Sequence, residues 1–100
     1  MKVYKLTDQN DRTYGATQWG KDVTHKVSTK REDVLCSASW IHAYEDKYVA
    51  SLLNPRHANF SEPNCWIAEG RGRLLRDGPC KIGFKVMTTI RRTALPKYTR

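Results

Sequence analysis

Two neighbouring segments of alternating residues constrain the fold of this sequence more than any other feature. Over residues 80–94, apolar side chains alternate with basic or hydroxyl-bearing ones, which is the period of a strand with one buried face. Residues 65–76 alternate in the same way around two glycines, and the Arg-Asp-Gly-Pro sequence at residues 76–79 is typical of a turn. The pattern predicts a C-terminal β-hairpin with Phe84 facing inward. A shift of one residue in register would reverse its two faces.

The rest of the sequence predicts shorter elements. Residues 3–6 are a strand candidate, and residues 13–19 and 22–27 indicate weak strands or an extended loop. Residues 34–44 are mostly apolar and small, which fits a buried strand or a tightly packed loop. A short helix is predicted to follow Asp46, its N-cap, and to stop at the next Asn-Pro pair. We expect an α+β fold: a small, mostly antiparallel sheet with one short helix and the C-terminal β-hairpin.

The length of the chain limits it to one modest core. With 39% hydrophobic side chains in 100 residues, we expect a single domain over residues 1–100, with a basic hairpin and tail at residues 71–100. No stretch approaches the ~20 apolar residues of a membrane-spanning helix, and the first residues are too polar for a signal peptide. Three cysteines without a CxxC pair favour a reducing compartment, so we expect a cytoplasmic protein. The predicted core residues are Val3, Leu6, Val34, Trp40, Val49, Leu52, Leu53, Trp66, Ile82, Phe84, Val86 and Ile90.

The positive charge is concentrated at one end of the sequence. Residues 1–70 hold nine basic and nine acidic side chains, whereas residues 71–100 hold nine basic side chains and one acid, Asp77. The whole net charge of +8 therefore belongs to the last thirty residues. Such segregation indicates a surface that faces an anion, either an acidic protein or nucleic acid. The candidate binding residues are Arg71, Arg73, Arg76, Lys81, Lys85, Arg91 and Arg92.

The predicted hairpin would turn this charge into a patch. Arg71 and Arg73 would lie beside Lys81 and Lys85 on one open side of the sheet. Large aromatic residues are sparse in the basic stretch, which favours contacts to phosphate over base stacking. Of the three tryptophans, Trp19 beside a glycine is the candidate for an exposed anchor or stacking platform.

The sequence offers no convincing catalytic or metal-binding constellation. Cys36, His42, His57 and Cys65 have zinc-binding atoms, but their spacing matches no compact zinc site. Cys36 or Cys80 could meet His42 as a nucleophile with its base, although no local signature supports this. The Gly-Arg-Gly-Arg sequence lacks the third glycine and the helix start of a phosphate loop. We expect a non-enzymatic protein that carries no cofactor and no metal.

The order of motifs resembles a family of small phage and prophage proteins. The matching segments are residues 3–6, then Leu35–Tyr44, then Val49–Pro55, and finally Trp66–Gly72 with Lys81–Lys85. The resemblance implies an accessory or inhibitor protein that acts in the cytoplasm of the host cell. Together with the charge, it implies a partner such as a host or defence complex that handles nucleic acid, as the targets of anti-CRISPR proteins do.

The same order is similar to half of an ADP-ribosyltransferase fold. Tyr4-Lys5 stands where that family has Tyr-Arg, and residues 40–53 would be its strand-helix unit. This similarity implies a nucleotide pocket near Tyr4, His42 and Tyr44. The stretch 81–100 contains no acid, so the catalytic glutamate is missing and the similarity implies a degenerate transferase. Direct nucleic-acid binding is the other alternative to an acidic protein partner.

Overall fold

The described residues form mostly antiparallel β-strands. The computed structural model of the chain describes residues 1–13, 17–27, 40–50, 62–77 and 81–95. Residues 47–50 are helical, so a short helix accompanies the sheet, as expected. The molecule is mostly β rather than a balanced α+β mixture, and the fold-class prediction is corrected to that extent. The strands are β1 (Lys2–Thr7), β2 (Arg12–Thr13), β3 (Thr17–Gln18), β4 (Val23–Lys26), β5 (Ile41–Ala43), β6 (Asn64–Asp77) and β7 (Lys81–Thr93).

The predicted hairpin is confirmed and forms the centre of the main sheet. β6 and β7 pair along their whole length, and the sheet order is β1-β6-β7-β4. The other edge of β7 is shared by two strands: β5 pairs with residues 82–84, and β4 pairs with residues 86–89. β2 and β3 form a separate two-stranded sheet. Within the described ranges, no helix is long and apolar enough to cross a membrane.

The sheet curls so that its first strand approaches β5. The backbone N–H of Tyr4 donates to the carbonyl of Tyr44 at 2.7 Å, and the N–H of Tyr44 donates to the carbonyl of Tyr4 at 2.9 Å. The concave side of this curl encloses the main core, because apolar side chains from all five strands meet there. That core contains Val3, Trp19, Ile41, Ala43, Ala68, Ile82, Phe84 and Met87.

The helix begins where the sequence predicted it to begin. The carboxylate of Asp46 accepts a hydrogen bond from the N–H of Tyr48 at 2.7 Å, and its carbonyl accepts one from the N–H of Ala50 at 3.1 Å. These bonds confirm Asp46 as the N-cap. The helical residues cover a second buried cluster on the other side of the sheet, where Ala50 packs with Leu6 and Cys65. The predicted helix residues from 51 onward lie outside the described residues.

A β-bulge corrects the predicted burial of Ile90. The register runs from Ala68 opposite Thr89 directly to Ile67 opposite Arg91, so Ile90 has no cross-strand partner. Its side chain is 37% exposed, and the prediction that it belongs to the core is wrong. The buried positions of β7 change from Ile82 and Phe84 to Met87 and Thr89, so Ile90 falls on the outer face, and simple alternation cannot anticipate this change.

The remaining core predictions are confirmed for most of the described residues. Six of the predicted core residues are buried, whereas Val49 and Val86 are half-buried. Val34, Leu52 and Leu53 lie outside the described residues. The six buried residues are Val3, Leu6, Trp40, Trp66, Ile82 and Phe84.

A second bulge changes the hairpin near its turn. Gly72 and Arg73 of β6 lie opposite the single residue Lys85 of β7. Gly72 has a φ of 78°, a left-handed conformation that glycine adopts without a steric penalty. Beyond this bulge Leu74 is 45% exposed although it pairs with the buried Phe84. Beyond the bulge, β6 therefore presents side chains to solvent, whereas the facing residues 82–84 of β7 are buried and pair with β5.

Gly70 allows the ring of Phe84 to lie directly against β6. A Cβ atom built on Gly70 would be 2.5 Å from the Cδ2 and Cε2 atoms of that ring. Side-chain atoms do not approach each other so closely, so any larger residue at this position would have to displace the phenylalanine. The glycine in this strand marks a close approach inside the core.

Asp11 joins the turn after β1 to the hairpin. Its Oδ1 atom accepts hydrogen bonds from Asn64 Nδ2 at 2.9 Å and Trp66 Nε1 at 3.0 Å. Its Oδ2 atom accepts one from the Arg92 guanidinium at 2.7 Å. Burial pushes the pKa of Asp11 upward, but these three hydrogen bonds and the charge of Arg92 outweigh it, so the pKa lies below its ordinary value. One carboxylate thus links a loop to both strands of the hairpin.

Candidate binding surface

The convex side of the sheet carries basic residues from all four strands of its main path. Residues directly opposite each other on antiparallel strands point to the same side. Ala68 with Thr89, and Gly70 with Met87, are buried pairs on the concave side. The residues between them therefore point to the convex side. They form three rows: Lys2–Glu69–Thr88–Thr24, Arg71–Val86–Lys26 and Tyr4–Ile67–Arg91.

Four basic side chains in these rows are exposed and define what we call the basic outer face: Lys2, Lys26, Arg71 and Arg91. Adjacent strands lie about 5 Å apart, so residues of β1, β6, β7 and β4 place these charges within one contiguous area. The face combines residues from both ends of the sequence.

Hydroxyl groups order the centre of the basic outer face. The Arg71 guanidinium donates to Thr88 Oγ1 at 2.9 Å. Thr88 Oγ1 lies 2.6 Å from Thr24 Oγ1, so the two hydroxyls are also hydrogen-bonded. Glu69 is the acid in these rows, and its Oε1 atom lies 3.0 Å from the amino group of Met1. The exposed basic side chains therefore outnumber the acid four to one within these three rows.

The seven predicted binding residues do not share one side of the sheet. Arg71 and Arg91 lie on the basic outer face, and Arg73 is exposed at the second bulge. Arg76 forms an ion pair with Glu45. Arg92 points to the concave side, because it lies opposite the buried Trp66. Arg92 forms an ion pair with Asp11, and its guanidinium carbon lies 5.6 Å from the centre of the Trp66 ring. Its side chain therefore makes contacts within the protein.

Lys81 and Lys85 depart from the open patch that alternation predicted. Lys81 is only 9% exposed, at the start of the stretch of β7 that pairs with β5 over residues 82–84. Lys85 is half-buried, with its amino group 4.1 Å from the centre of the Trp40 ring. The expectation that Arg71 and Arg73 share an open side with Lys81 is therefore wrong. The bulge between Arg71 and Leu74 breaks the alternation on which it rested.

Trp19 is not the exposed aromatic that the sequence suggested. Its side chain is 3% exposed, and its indole N–H donates to Thr13 Oγ1 at 3.0 Å. The ring of His25 packs edge-to-face against the indole, with 4.6 Å between the ring centres. Trp40 and Trp66 are also buried, so no tryptophan of this chain offers a surface platform.

Sequence reasoning missed Lys2 and Lys26 as members of the surface. They belong to a segment whose charges sum to zero, and charge counting along the sequence therefore passes over them. Register places them in rows with β6 and β7 residues, and that long-range pairing has no local sequence signal. In the sequence, the charged Lys2 precedes the apolar Val3, and this alternation indicates that Lys2 faces solvent.

The described residues provide neither a metal-binding site nor an activated nucleophile. No group of three or more metal-ligating side chains occurs within the described part of the chain. Cys36, His57 and Cys80 lie outside the described residues. Burial raises the pKa of the Cys65 thiol to about 11, even though the charge of Lys47 opposes this. A buried protonated thiol is a poor nucleophile and a poor metal ligand.

The structure does bring Tyr4, His42 and Tyr44 together where β1 meets β5. Tyr4 and Tyr44 are joined by their backbone hydrogen bonds, and His42 lies two residues before Tyr44. The side chain of Tyr44 is buried in the cluster with Leu6 and Cys65. This placement makes Tyr44 part of the packing, and a nucleotide pocket here stays a prediction.

Lys5 is a buried amine beside this junction. Its Nζ atom donates to the carbonyl oxygen of His42 at 2.6 Å and lies 5.7 Å from the centre of the Trp19 ring. Burial, and to a lesser degree the charge of Lys81, lower the pKa of Lys5 from 10.5 to about 7. Between these values the unfolded chain binds more protons at this residue than the folded chain does. Lys5 therefore makes folding more favourable as the pH rises through this window.

We expect Lys5→Met to raise the free energy of unfolding by about 2 kcal/mol near neutral pH. An apolar side chain of similar length removes the cost of burying the ammonium group, and this gain exceeds the loss of about 1 kcal/mol from the hydrogen bond to His42. Urea unfolding at several pH values would measure both proteins. The gain should shrink toward pH 10, and a gain that stays constant with pH would contradict the assignment. The measured quantity is the difference in unfolding free energy between the two proteins at each pH. The raised pKa of Cys65 makes both proteins less stable from about pH 9 to 11, and this effect cancels in the difference.

No protein-family model matches the sequence, and comparison with curated proteins and with solved structures gives no match either. The function is accordingly inferred from the surface described above.

Proposed function

We propose that this chain is a non-enzymatic accessory or inhibitor protein that binds an acidic partner protein through its basic outer face. The observation that carries the proposal is the set of four exposed basic side chains on one side of the main sheet. One acid lies among them, and it is bonded to the Met1 amino group. Opposite charge on a partner would steer association and fix its orientation.

Exposed apolar side chains beside the arginines favour a protein partner. Ile90 is 37% exposed next to Arg91, and Leu74 is 45% exposed next to Arg73. Arginine mixed with apolar groups is the composition that protein interfaces favour. The tryptophans, which would stack on bases in a nucleic-acid platform, are buried.

The resemblance to phage proteins extends the proposal to the kind of partner. The partner class that the resemblance favours is a host or defence complex that handles nucleic acid, the type of target that anti-CRISPR proteins block, and the basic outer face would bind an acidic surface of such a complex. A cytoplasmic location belongs to the same proposal. The sequence and charge observations given above support both statements.

We expect Arg71→Glu combined with Arg91→Glu to weaken binding to polyglutamate by tenfold or more. Reversal places like charges at the contact, and each 1.4 kcal/mol lost is a factor of about ten in affinity. Fluorescence anisotropy with labelled polyglutamate would give the dissociation constants at low and high salt. Arg12→Glu combined with Lys21→Glu is the matched control, since both residues are exposed, neither belongs to the rows of this face, and the change in net charge is equal. Equal loss in both double variants would mean that only net charge matters.

Direct nucleic-acid binding is the second candidate, because the Thr88 hydroxyl on β7 lies between the strands of Arg71 and Lys26 and is hydrogen-bonded to the Thr24 hydroxyl. Arginine, lysine and threonine together are the groups that contact phosphate oxygens. This candidate requires binding to a labelled oligonucleotide that falls steeply with salt, with a slope of about −0.7 to −0.9 per phosphate contact. Oligonucleotide binding tighter than polyglutamate binding would place nucleic acid ahead of an acidic protein.

A further inference from the structure

The outer half of β6 has one edge without a neighbouring strand among the described residues. β1 pairs with β6 over residues 64–69, and Met1 extends this contact to Gly70 through hydrogen bonds of 2.9 and 3.0 Å. From there to Asp77, strand pairing within the described ranges involves only the β7 side. We call the opposite side of residues 71–77 the β6 edge. A strand edge of this kind presents N–H and C=O groups in the geometry that an added strand requires.

At residues 71–74, the side chains along the β6 edge are open to solvent on both sides of the sheet. Residues 71–74 are exposed at four consecutive positions, whereas a strand covered on one face would alternate. Arg71 and Arg73 supply positive charge, and Leu74, 45% exposed, supplies apolar surface between them and the turn. A strand that binds here must therefore carry both acidic and apolar residues.

Charge decides what can occupy this edge. A second copy of the chain would bring another strand of net positive charge against this edge, and like charges on paired strands repel each other. An acidic strand would instead form cross-strand ion pairs at Arg71 and Arg73. The edge is thus protected against self-association while it is complementary to an acidic segment.

We propose that the β6 edge accepts an extended acidic segment of a partner protein as an added strand, an inference that rests on the proposed function. The bulge at Gly72 and Arg73 interrupts regular backbone geometry. Main-chain hydrogen bonds to the partner would therefore be made by residues 74–77. Arg71 and Arg73 would form ion pairs with acidic side chains of the partner segment beyond the bulge. An apolar residue of the partner would cover Leu74.

The test uses a short synthetic peptide in which Glu and Val alternate, with the full-length protein. Two further versions carry N-methyl groups on alternate amides, one version on each edge of the extended peptide. Strand addition uses one edge of the peptide, so one methylated version should lose affinity by tenfold or more and the other should bind like the parent. Amide hydrogen exchange of residues 74–77 should slow when the parent peptide binds. Arg71→Glu with Arg73→Glu should abolish binding, whereas the Arg12→Glu with Lys21→Glu control should not.

The outcomes separate this inference from the proposed function. If all three peptides bind equally and exchange at residues 74–77 is unchanged, strand addition is overturned while acidic-partner binding stands. If the peptide and polyglutamate both fail to bind, both proposals are overturned. Oligonucleotide binding that slows exchange along residues 71–77 without any peptide binding would assign the edge to nucleic acid and overturn the inference as well.

Discussion

Gly70→Ala is expected to lower the free energy of unfolding by about 3 kcal/mol. The new methyl carbon would stand 2.5 Å from the Phe84 ring, and that ring is 1% exposed in the main core. The ring cannot move without opening contacts elsewhere, and overpacking of this kind costs roughly 1–3 kcal/mol or more. Urea unfolding followed by tryptophan fluorescence would measure the loss.

Gly20→Ala is the matched control for this substitution. A Cβ atom there would meet Val23 Cγ2 at 3.4 Å, an ordinary contact, so the change should cost less than about 1 kcal/mol. Phe84→Leu in the Gly70→Ala background should restore part of the lost stability, because the smaller side chain leaves room for the methyl group. Additive losses in the double variant would show that Gly70 and Phe84 do not compete for the same space.

Asp11→Ala is expected to cost about 3 kcal/mol or more at neutral pH. It removes the acceptor for Asn64, Trp66 and Arg92, and leaves the indole N–H of the buried Trp66 without that bond. Asp11 also has a φ of 59°, where alanine is strained. Asp22→Ala controls for the backbone contribution, since Asp22 has a φ of 56° and an exposed side chain. A similar loss in both variants would assign the effect to the backbone alone.

The pH dependence of stability gives an independent check on Asp11. Its pKa is lowered in the folded state, so the stabilisation is present above the ordinary aspartate pKa and disappears as the pH falls through the lower folded value. Asp11→Asn keeps the shape and tolerates the positive φ but removes the charge. The stability difference between the wild-type protein and Asp11→Asn should therefore shrink as the pH falls below the ordinary aspartate pKa. A difference that is unchanged at low pH would exclude a role for the charge.

Local chemistry explains which parts of the fold could be predicted from the sequence. The β6–β7 hairpin follows from alternation and from a turn between neighbouring segments, and the Asp46 cap follows from residues within one helical turn. The exposure of Ile90 could not be predicted, because it depends on how two strands are aligned. A bulge is a property of the pair of strands and not of either sequence alone.

For the binding surface too, local sequence indicates some residues, and only strand pairing reveals the others. Arg71 and Arg91 were predicted because the basic residues of the hairpin lie close together in sequence. Lys2 and Lys26 were missed because they join the face only through pairing with β6 and β7. Trp19 and Lys81 were misplaced because their burial depends on the folded arrangement, in which Trp19 joins the main core, and composition does not indicate it.

The order of the strands also sets the order in which the chain can assemble as it is synthesised. β1 is made first, but its pairing partner is residues 64–69 of β6, and β4 and β5 must wait for β7. The hairpin closes a short loop, so it can form quickly and act as the template on which the earlier strands dock. Until then β1 leaves the ribosome without its strand partner and depends on the last third of the chain for its place in the sheet.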